Sequence, residues 1–342
     1  MSAHEMYAAV RAVIDPVYLV GGSVRDVVMA RDCHDYDFTT PLSPDRIEEL
    51  IRAAGRKPYL TGKRFGTVGF RIEGHSVEVT TFRAEEYDAD SRKPRVRFVN
   101  ELEADLSKRD FTINAMALAG GDIIDPFGGR SDIAARTVRA VGDPRERFDE
   151  DPLRVLRAAR FASELGFTVE PATVEAMRRK PYRILGVARE RWVTELDRLL
   201  VGPGAPDALR LLADVGLLRF MLPELQLQVD FDQNSAYHDR TLFEHTLGVV
   251  AASPADVTLR WAALLHDVGK PFVRAEKPGR STYVGHELVS AEIAERTGLY
   301  LRWSNARRGA VYRLVRDHML PDSPLAAADD SAKAAGRPET SS

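Results

Sequence analysis

The stretch YLVGGSVRDVVMARDCHDYDFTT, residues 18–40, decides the fold. A short β-rich run over 17–20 ends in Gly21-Gly22-Ser23, and a helical run begins at Val24. Glycines at such a junction let backbone amides approach a ligand, and a helix start favours phosphate through its free amides and positive dipole end. Arg25 adds a charge-assisted fork. Taken alone, a glycine pair before a helix is more often a plain tight turn. Asp35-Tyr36-Asp37 follows and leads into β-favouring residues. On an extended segment positions i and i+2 point to one side, so both carboxylates can face a hard cation such as Mg²⁺, which prefers oxygen ligands and substrate phosphates. Most Asp-x-Asp triplets are exposed turns; this one stands just after a candidate phosphate loop.

Outward from this stretch, the runs 67–72 and 76–81 read as strands and 24–30 and 44–54 as helices, an α/β head with a mixed or antiparallel sheet. Glu78, a polar residue flanked by valines on the second of those strands, is a candidate third carboxylate or a surface-facing residue. DPFGG at 125–129 marks a turn. Beyond Asp132 the pattern is helical over 151–165, 171–180, 188–200 and 206–215, with Gly166 and Gly202 as stops. A second helical region spans 242–318. The end, PLAAADDSAKAAGRPETSS, is small, polar and aperiodic and reads as disordered.

The chain has 342 residues, 44% of them hydrophobic, enough for more than one domain. No run approaches the roughly 20 apolar residues of a membrane helix, and residues 1–20 lack a secretory signal pattern, so a cytoplasmic protein with no membrane partner is expected. The single cysteine, Cys33, fits a reducing compartment and a small buried side chain. A net charge of −3 excludes a histone-like or ribosomal binder of nucleic acid, so any RNA contact is local. Candidates are Arg92, Lys93, Arg95, Arg97, Lys108 and Arg109, and the arginines of 302–316; a solvated face explains either stretch equally well.

The segments GGSVRD, DYDF, GKRFGTVGF, EVTTFR, KRDFTINAMAL, DPFGG, AVGDPRERFDEDPLRVLRAARF and ERWVTEL stand in the order found in the class II CCA-adding tRNA nucleotidyltransferase and bacterial poly(A) polymerase family, which the chain resembles from residue 18 to about 200. The resemblance implies a polymerase-β-like nucleotidyltransferase head, Mg²⁺ on Asp35 and Asp37, and nucleotide binding by Gly22, Arg25 and Arg109; Glu78 joins them as the candidate third catalytic carboxylate from its place on the strand. Asp110 and Asn114 are candidates to hold the ribose or the loop. Asp151 and Arg154, by themselves a capped helix start with an i, i+3 pair, look like the family's base-selecting helix. An acceptor beside a donor fork complements the amino group and ring nitrogen of cytosine and adenine, and it sets acceptor against acceptor for uracil and guanine. Arg157 and Arg160 continue the helix within reach of a triphosphate.

Residues 243–271 resemble an HD phosphohydrolase domain. His266-Asp267, with His245 upstream and His286 and His318 downstream, can gather ligands for a divalent transition metal. The usual final aspartate of an HD site lies farther along than this chain reaches, Asp317 being a poor substitute, and family members usually carry more helical sequence after this core. The expected organisation is a nucleotidyltransferase head over 1–125, a helical neck binding nucleotide and RNA over 126–235, an HD-type helical domain over 236–320 and a disordered tail over 321–342.

The expected activity is Mg²⁺-dependent transfer of CMP and AMP from CTP and ATP to the tRNA 3′ end. The alternatives are partial CC or A addition, poly(A) synthesis, hydrolysis of phosphate esters by the HD region, or RNA binding without catalysis. The segment 60–69 resembles the tRNA enzymes rather than poly(A) polymerases, and 83–105 resembles the complete flexible loop that CC-only relatives lack.

Overall fold

The computed structural model describes residues 1–33, 35–86, 95–234 and 240–335, and the chain forms two compact units, Met1–Glu150 and Asp151–Ser342. The first contains strands β1 (Tyr18–Val20), β2 (Tyr36–Thr40), β3 (Thr67–Ile72), β4 (His75–Thr81), β5 (Arg83–Glu86), β6 (Arg95–Phe98), β7 (Ala117–Ala119) and β8 (Asp122–Ile124). Six of them form one sheet in the order β3-β4-β2-β1-β7-β8. Only β2 with β4 is parallel; the other neighbours in this sheet are antiparallel, so the expected mixed sheet is present.

Alternation along the strands separates core from site. Tyr36 and Phe38 on β2 and Val77 and Val79 on β4 are buried, while Asp37 and Glu78 between them are exposed. The buried side packs with α1 (Ala3–Arg11) and α3 (Pro44–Ala53), which contribute Met6, Val10, Ile47 and Ile51 to a single core cluster. Both helices start on serine caps: Ser2 with Glu5 forms a capping box, and Ser43 precedes Pro44 at the first turn. Between them lies α2 (Gly22–Val28). Cys33 is half-buried against this core, and burial pushes its thiol pKa up.

The unit includes α4 (Leu102–Leu106) and continues past residue 125 through α5 (Gly129–Ala134) and α6 (Pro144–Glu150). Local bonds tie these segments in. Thr112 Oγ1 donates to Asp132 at 2.6 Å, Arg147 donates to the Ser107 carbonyl at 3.1 Å, and Lys108 lies 3.8 Å from Glu150. The observed boundary at 150/151 therefore falls later than the expected 125/126.

The second unit is helical: α7 (Leu153–Leu165), α8 (Pro171–Arg178), α9 (Arg189–Val201), α10 (Ala205–Asp214), α11 (Leu218–Met221), α12 (Pro223–Gln226), α13 (Leu242–Ala252), α14 (Val257–Leu265), α15 (Lys270–Val273), α16 (His286–Tyr300), α17 (Asn305–Arg316) and α18 (Ala326–Ala335). Gly166 ends α7 in the left-handed conformation, φ +66°. Neck and HD helices share ties: Arg307 grips Asp197 of α9 through both Nη atoms, Trp261 Nε1 donates to the same carboxylate at 2.7 Å, and Arg210 pairs with Glu244.

The expected disordered tail is corrected here. Residues 326–335 form α18, and Leu325, Ala328, Asp329 and Ala332 are buried in an i, i+3, i+4, i+7 stripe. The stripe is apolar enough to pack but too small-sided to stand out as periodic hydrophobicity.

Candidate functional site

The register of the head sheet brings its carboxylates together. Asp37 pairs with Val20 on one side and with Glu78 on the other. Register partners on adjacent strands share a face, with strands about 4.8 Å apart. Asp35, two residues before Asp37, stands at the entrance of β2 and is exposed like the other two. Ser23 Oγ donates to the Asp35 carbonyl, so the start of α2 and the start of β2 are fastened to each other.

Gly21, one position before the glycine singled out from sequence, makes the closest approach. It has φ +75°, and a Cβ there would come within 3.0 Å of Arg109 Nη1 and 3.9 Å of Asp37 Oδ2. The backbone angle favours glycine, and its lack of a side chain lets Arg109 lie close. Desolvation raises the Asp37 pKa, with Asp35 adding to it and the Arg109 guanidinium opposing it. A carboxylate that is costly to ionise alone, beside a second one, suits a divalent cation. Arg109 also lies 3.7 Å from buried Asp105, which accepts from the Arg83 amide.

Arg25 is held by a relay. Its Nη1 donates to Asn114 Oδ1 at 2.9 Å, Asn114 Nδ2 donates to Asp110 Oδ1 at 3.2 Å, and that oxygen also accepts the Phe111 amide at 2.8 Å. Asp110 and Asn114 thus orient an arginine of the candidate phosphate site.

In the helical unit Asp151 caps α7, accepting from the Leu153 amide at 3.0 Å, and pairs with Arg191 at 2.9 Å. Arg154 follows one turn later and is half-buried. The Arg160 side chain is 2% exposed, lies on the Phe161 ring, and bonds Glu195 at 2.8 Å and Glu164 at 2.6 Å, which fixes α7 to α9. Arg157 also pairs with Glu195, at 3.2 Å, but remains one-third exposed. The arginine-rich 302–316 stretch is likewise occupied by ion pairs: Arg302 with Glu190, Arg307 with Asp197, Arg308 with Glu295 and Arg316 with Asp317. Arg92 and Lys93 lie outside the described residues, as does 87–94 of the expected flexible loop.

The HD residues converge from five segments and are buried. His245 comes from α13, His266 and Asp267 from the end of α14, His286 from the start of α16, His318 from beyond α17 and Asp329 from α18. Asp329 supplies the late aspartate that the sequence seemed not to reach; Asp317 pairs with Arg316 at the surface. The Nδ1 atoms of His266, His286 and His318 each face a carbonyl three residues back, at 2.7–2.8 Å, and a carbonyl can only accept. In the neutral imidazole this leaves Nε2 as an acceptor.

Those acceptors meet other acceptors. His266 Nε2 is 3.1 Å from Asp267 Oδ2 and His286 Nε2 is 3.0 Å from Asp267 Oδ1; close by, His245 Nε2 lies 3.1 Å from Asp329 Oδ1. His266 Nε2, Asp267 Oδ1 and Asp329 Oδ1 are buried with no hydrogen bond. Nitrogen and oxygen lone pairs in confrontation are what a divalent transition metal resolves, so this donor set fits one. Two ligand sets gather within 4.8 Å, His245-His266-Asp329 and His266-Asp267-His318. Lys270, which sequence reading overlooked, places Nζ 2.7 Å from Asp267 Oδ2.

Burial works against a charged Asp267, yet its charged surroundings, the Lys270 ammonium among them, hold its carboxyl well below the usual range. Burial and the neighbouring His266 push His318 down to about 4, which keeps it a neutral ligand at physiological pH.

Comparison with known proteins identifies these parts. Residues 17–139 match the poly(A) polymerase head domain, 166–228 a probable RNA- and SrmB-binding site of polymerase A, and 242–338 the HD domain. The CCA-adding enzyme of Levilactobacillus brevis is 42% identical over 64% of this chain and 55% of its own length, and that of Bacillus subtilis is 39% identical over 74% and 60%. The chain therefore spans little more than half the length of these relatives. The CCA-adding enzyme of Bacillus velezensis is 40% identical over 81% of this chain and 68% of its own length. A crystal structure of the Bacillus stearothermophilus CCA-adding enzyme in complex with CTP is similar with a TM-score of 0.66 and 29% identity, covering 97% of this chain and 81% of that one. No helix among the described residues is long and apolar enough to cross a membrane. With a poly(A) polymerase head, an RNA-binding segment and an HD domain in that order, the chain belongs to the CCA-adding enzyme family of nucleotidyltransferases.

Proposed function

We propose that this chain transfers CMP and AMP from CTP and ATP to the 3′ end of tRNA without a nucleic-acid template, in the cytoplasm. The observation that carries the reading is the register pairing of Asp37 with Glu78, beside a Gly21 in the left-handed region that lies close to Arg109. Asp35 and Asp37 would hold Mg²⁺, which when bound supplies charge stabilisation on phosphate oxygens and activation of a hydroxyl. Gly22 and Arg25 bind phosphate, Arg25 being pre-oriented through Asn114 and Asp110. Arg109 stands next to Asp37 and neutralises charge there. Asp151 and Arg154 select cytosine and adenine by their donor and acceptor edges, and Arg157 supports the nucleotide. Catalysis in such a site is positioning together with electrostatics.

The test is incorporation of each labelled nucleoside triphosphate, with Mg²⁺, into tRNAs that end before CCA, after C and after CC. Addition of C, C and A followed by a stop is expected. Addition of C alone, of A alone or of an unbounded A ladder would assign the chain to a partial or poly(A)-adding activity instead.

The acceptor-against-acceptor packing around Asp267 favours a second reading, metal-dependent hydrolysis of phosphate esters by the HD region. Bis(p-nitrophenyl) phosphate hydrolysis should require added Mn²⁺, stop with chelator, vanish in Asp267→Ala and persist in Asp35→Ala.

A further inference from the structure

We infer that metal binding in the HD cluster and docking of α18 are one linked event, with Asp329 as the residue that joins them. The inference rests on the metal reading of the cluster and is independent of the chemistry of the head.

Two observations lead to it. The first is the small-sided face by which α18 packs. Its buried stripe consists of Leu325, Ala328, Asp329 and Ala332, so apart from one leucine it offers only alanine methyls to the bundle. A ten-residue helix is marginal by itself, and most helices in proteins depend on a substantial apolar face. The fit against α13 is close: a Cβ built on Gly248 would lie 3.1 Å from the Ala332 Cβ.

The second is what lies at the centre of the stripe. Asp329 Oδ2 is tied within its own helix by Lys333 at 2.5 Å, while buried Oδ1 has no hydrogen bond and faces His245 Nε2 at 3.1 Å. His245, His266 and Asp329 place one ligand atom each within 4.8 Å of one another. Two of these ligands belong to the helices α13 and α14 with their large buried side chains, and the third arrives on a helix that packs through small ones. An ion bound there fastens α18 to the bundle, and the docked helix completes the ion's coordination. Because linkage is reciprocal, whatever factor the ion adds to docking, docking adds to the ion's affinity.

The experiment uses the full chain carrying Asp35→Ala and Asp37→Ala, so that added Mn²⁺ acts only through the helical unit. Calorimetry reads Mn²⁺ binding, and hydrogen exchange reads residues 326–335 in Mn²⁺ and in chelator. Exchange there is expected to slow about tenfold or more with Mn²⁺. Asp329→Ala should remove that protection. Gly248→Leu keeps every ligand but obstructs the docked position of α18, and it should weaken Mn²⁺ binding by a similar factor, about tenfold. Mn²⁺ binding with unchanged exchange at 326–335, or unchanged affinity in Gly248→Leu, would overturn the linkage and leave the metal site standing. No Mn²⁺ binding would overturn both.

Discussion

The head and the HD cluster both gather carboxylates around a place for a divalent ion, and they do so in opposite ways. In the head, Asp35, Asp37 and Glu78 lie open on the polar face of a sheet. In the HD cluster every ligand is buried, and three imidazoles are locked by backbone carbonyls. An open oxygen set leaves coordination positions for substrate, as Mg²⁺ chemistry requires, whereas a closed nitrogen-rich set binds its ion as part of the fold. With both sites filled, one fold would separate an ion that comes with the nucleotide from one that stays with the protein.

The sharpest way to break that contrast is a reciprocal pair of substitutions. Asp37→Ala should lower nucleotide incorporation by about 10³-fold or more, since the lost interactions are worth several kcal/mol in the transition state. It should leave Mn²⁺ binding by the helical unit intact. Asp267→Ala should abolish that binding and spare incorporation. Calorimetry and gel-based primer extension on the same two preparations would read both, and loss of incorporation in both variants would show that the two sites are not separable.

A smaller effect distinguishes a strut from a ligand. Arg160→Met removes a buried cation from Glu164 and Glu195 and should cost about 3–5 kcal/mol of stability. The KM for ATP should change little. Urea unfolding beside steady-state kinetics checks this, and a large rise in KM with unchanged stability would restore Arg160 to the nucleotide site.

The smallest expected effect is a shift in pH dependence. Desolvation raises the Asp37 pKa, and Arg109 opposes the rise. Mg²⁺ needs the ionised carboxylate, so its affinity should fall as pH drops through a value above the ordinary aspartate range. Arg109→Ala removes the opposing charge and should move this acid limb to higher pH by a fraction of a unit. A limb that stays put or moves down would separate Arg109 from Asp37. Titration of Mg²⁺ binding across pH reads it directly.

What the sequence disclosed, and what it hid, follows the range of the interactions. The head carboxylates were legible because period-2 alternation is local: a polar residue between two buried ones on β2 or β4 must face the other side. The His-Asp pair ending α14 was legible for a similar reason. The pairing of Arg160 was hidden because a helix face shows only what α7 presents, and its partner Glu195 comes from α9. Asp329 was missed because its helix is written in alanine and aspartate, a composition that carries no visible period. Its meaning depends on His245, far away in the chain. Gly21 was passed over for Gly22 because only the fold shows which of two adjacent glycines Arg109 lies against.

The Asp197 carboxylate, clamped by Arg307 and Trp261, has a bearing on how this chain can change over generations. It binds a neck helix to two helices of the HD bundle through residues that take no part in the histidine cluster. Substitution of the histidine ligands would therefore leave this junction of the neck helix with α14 and α17 in place.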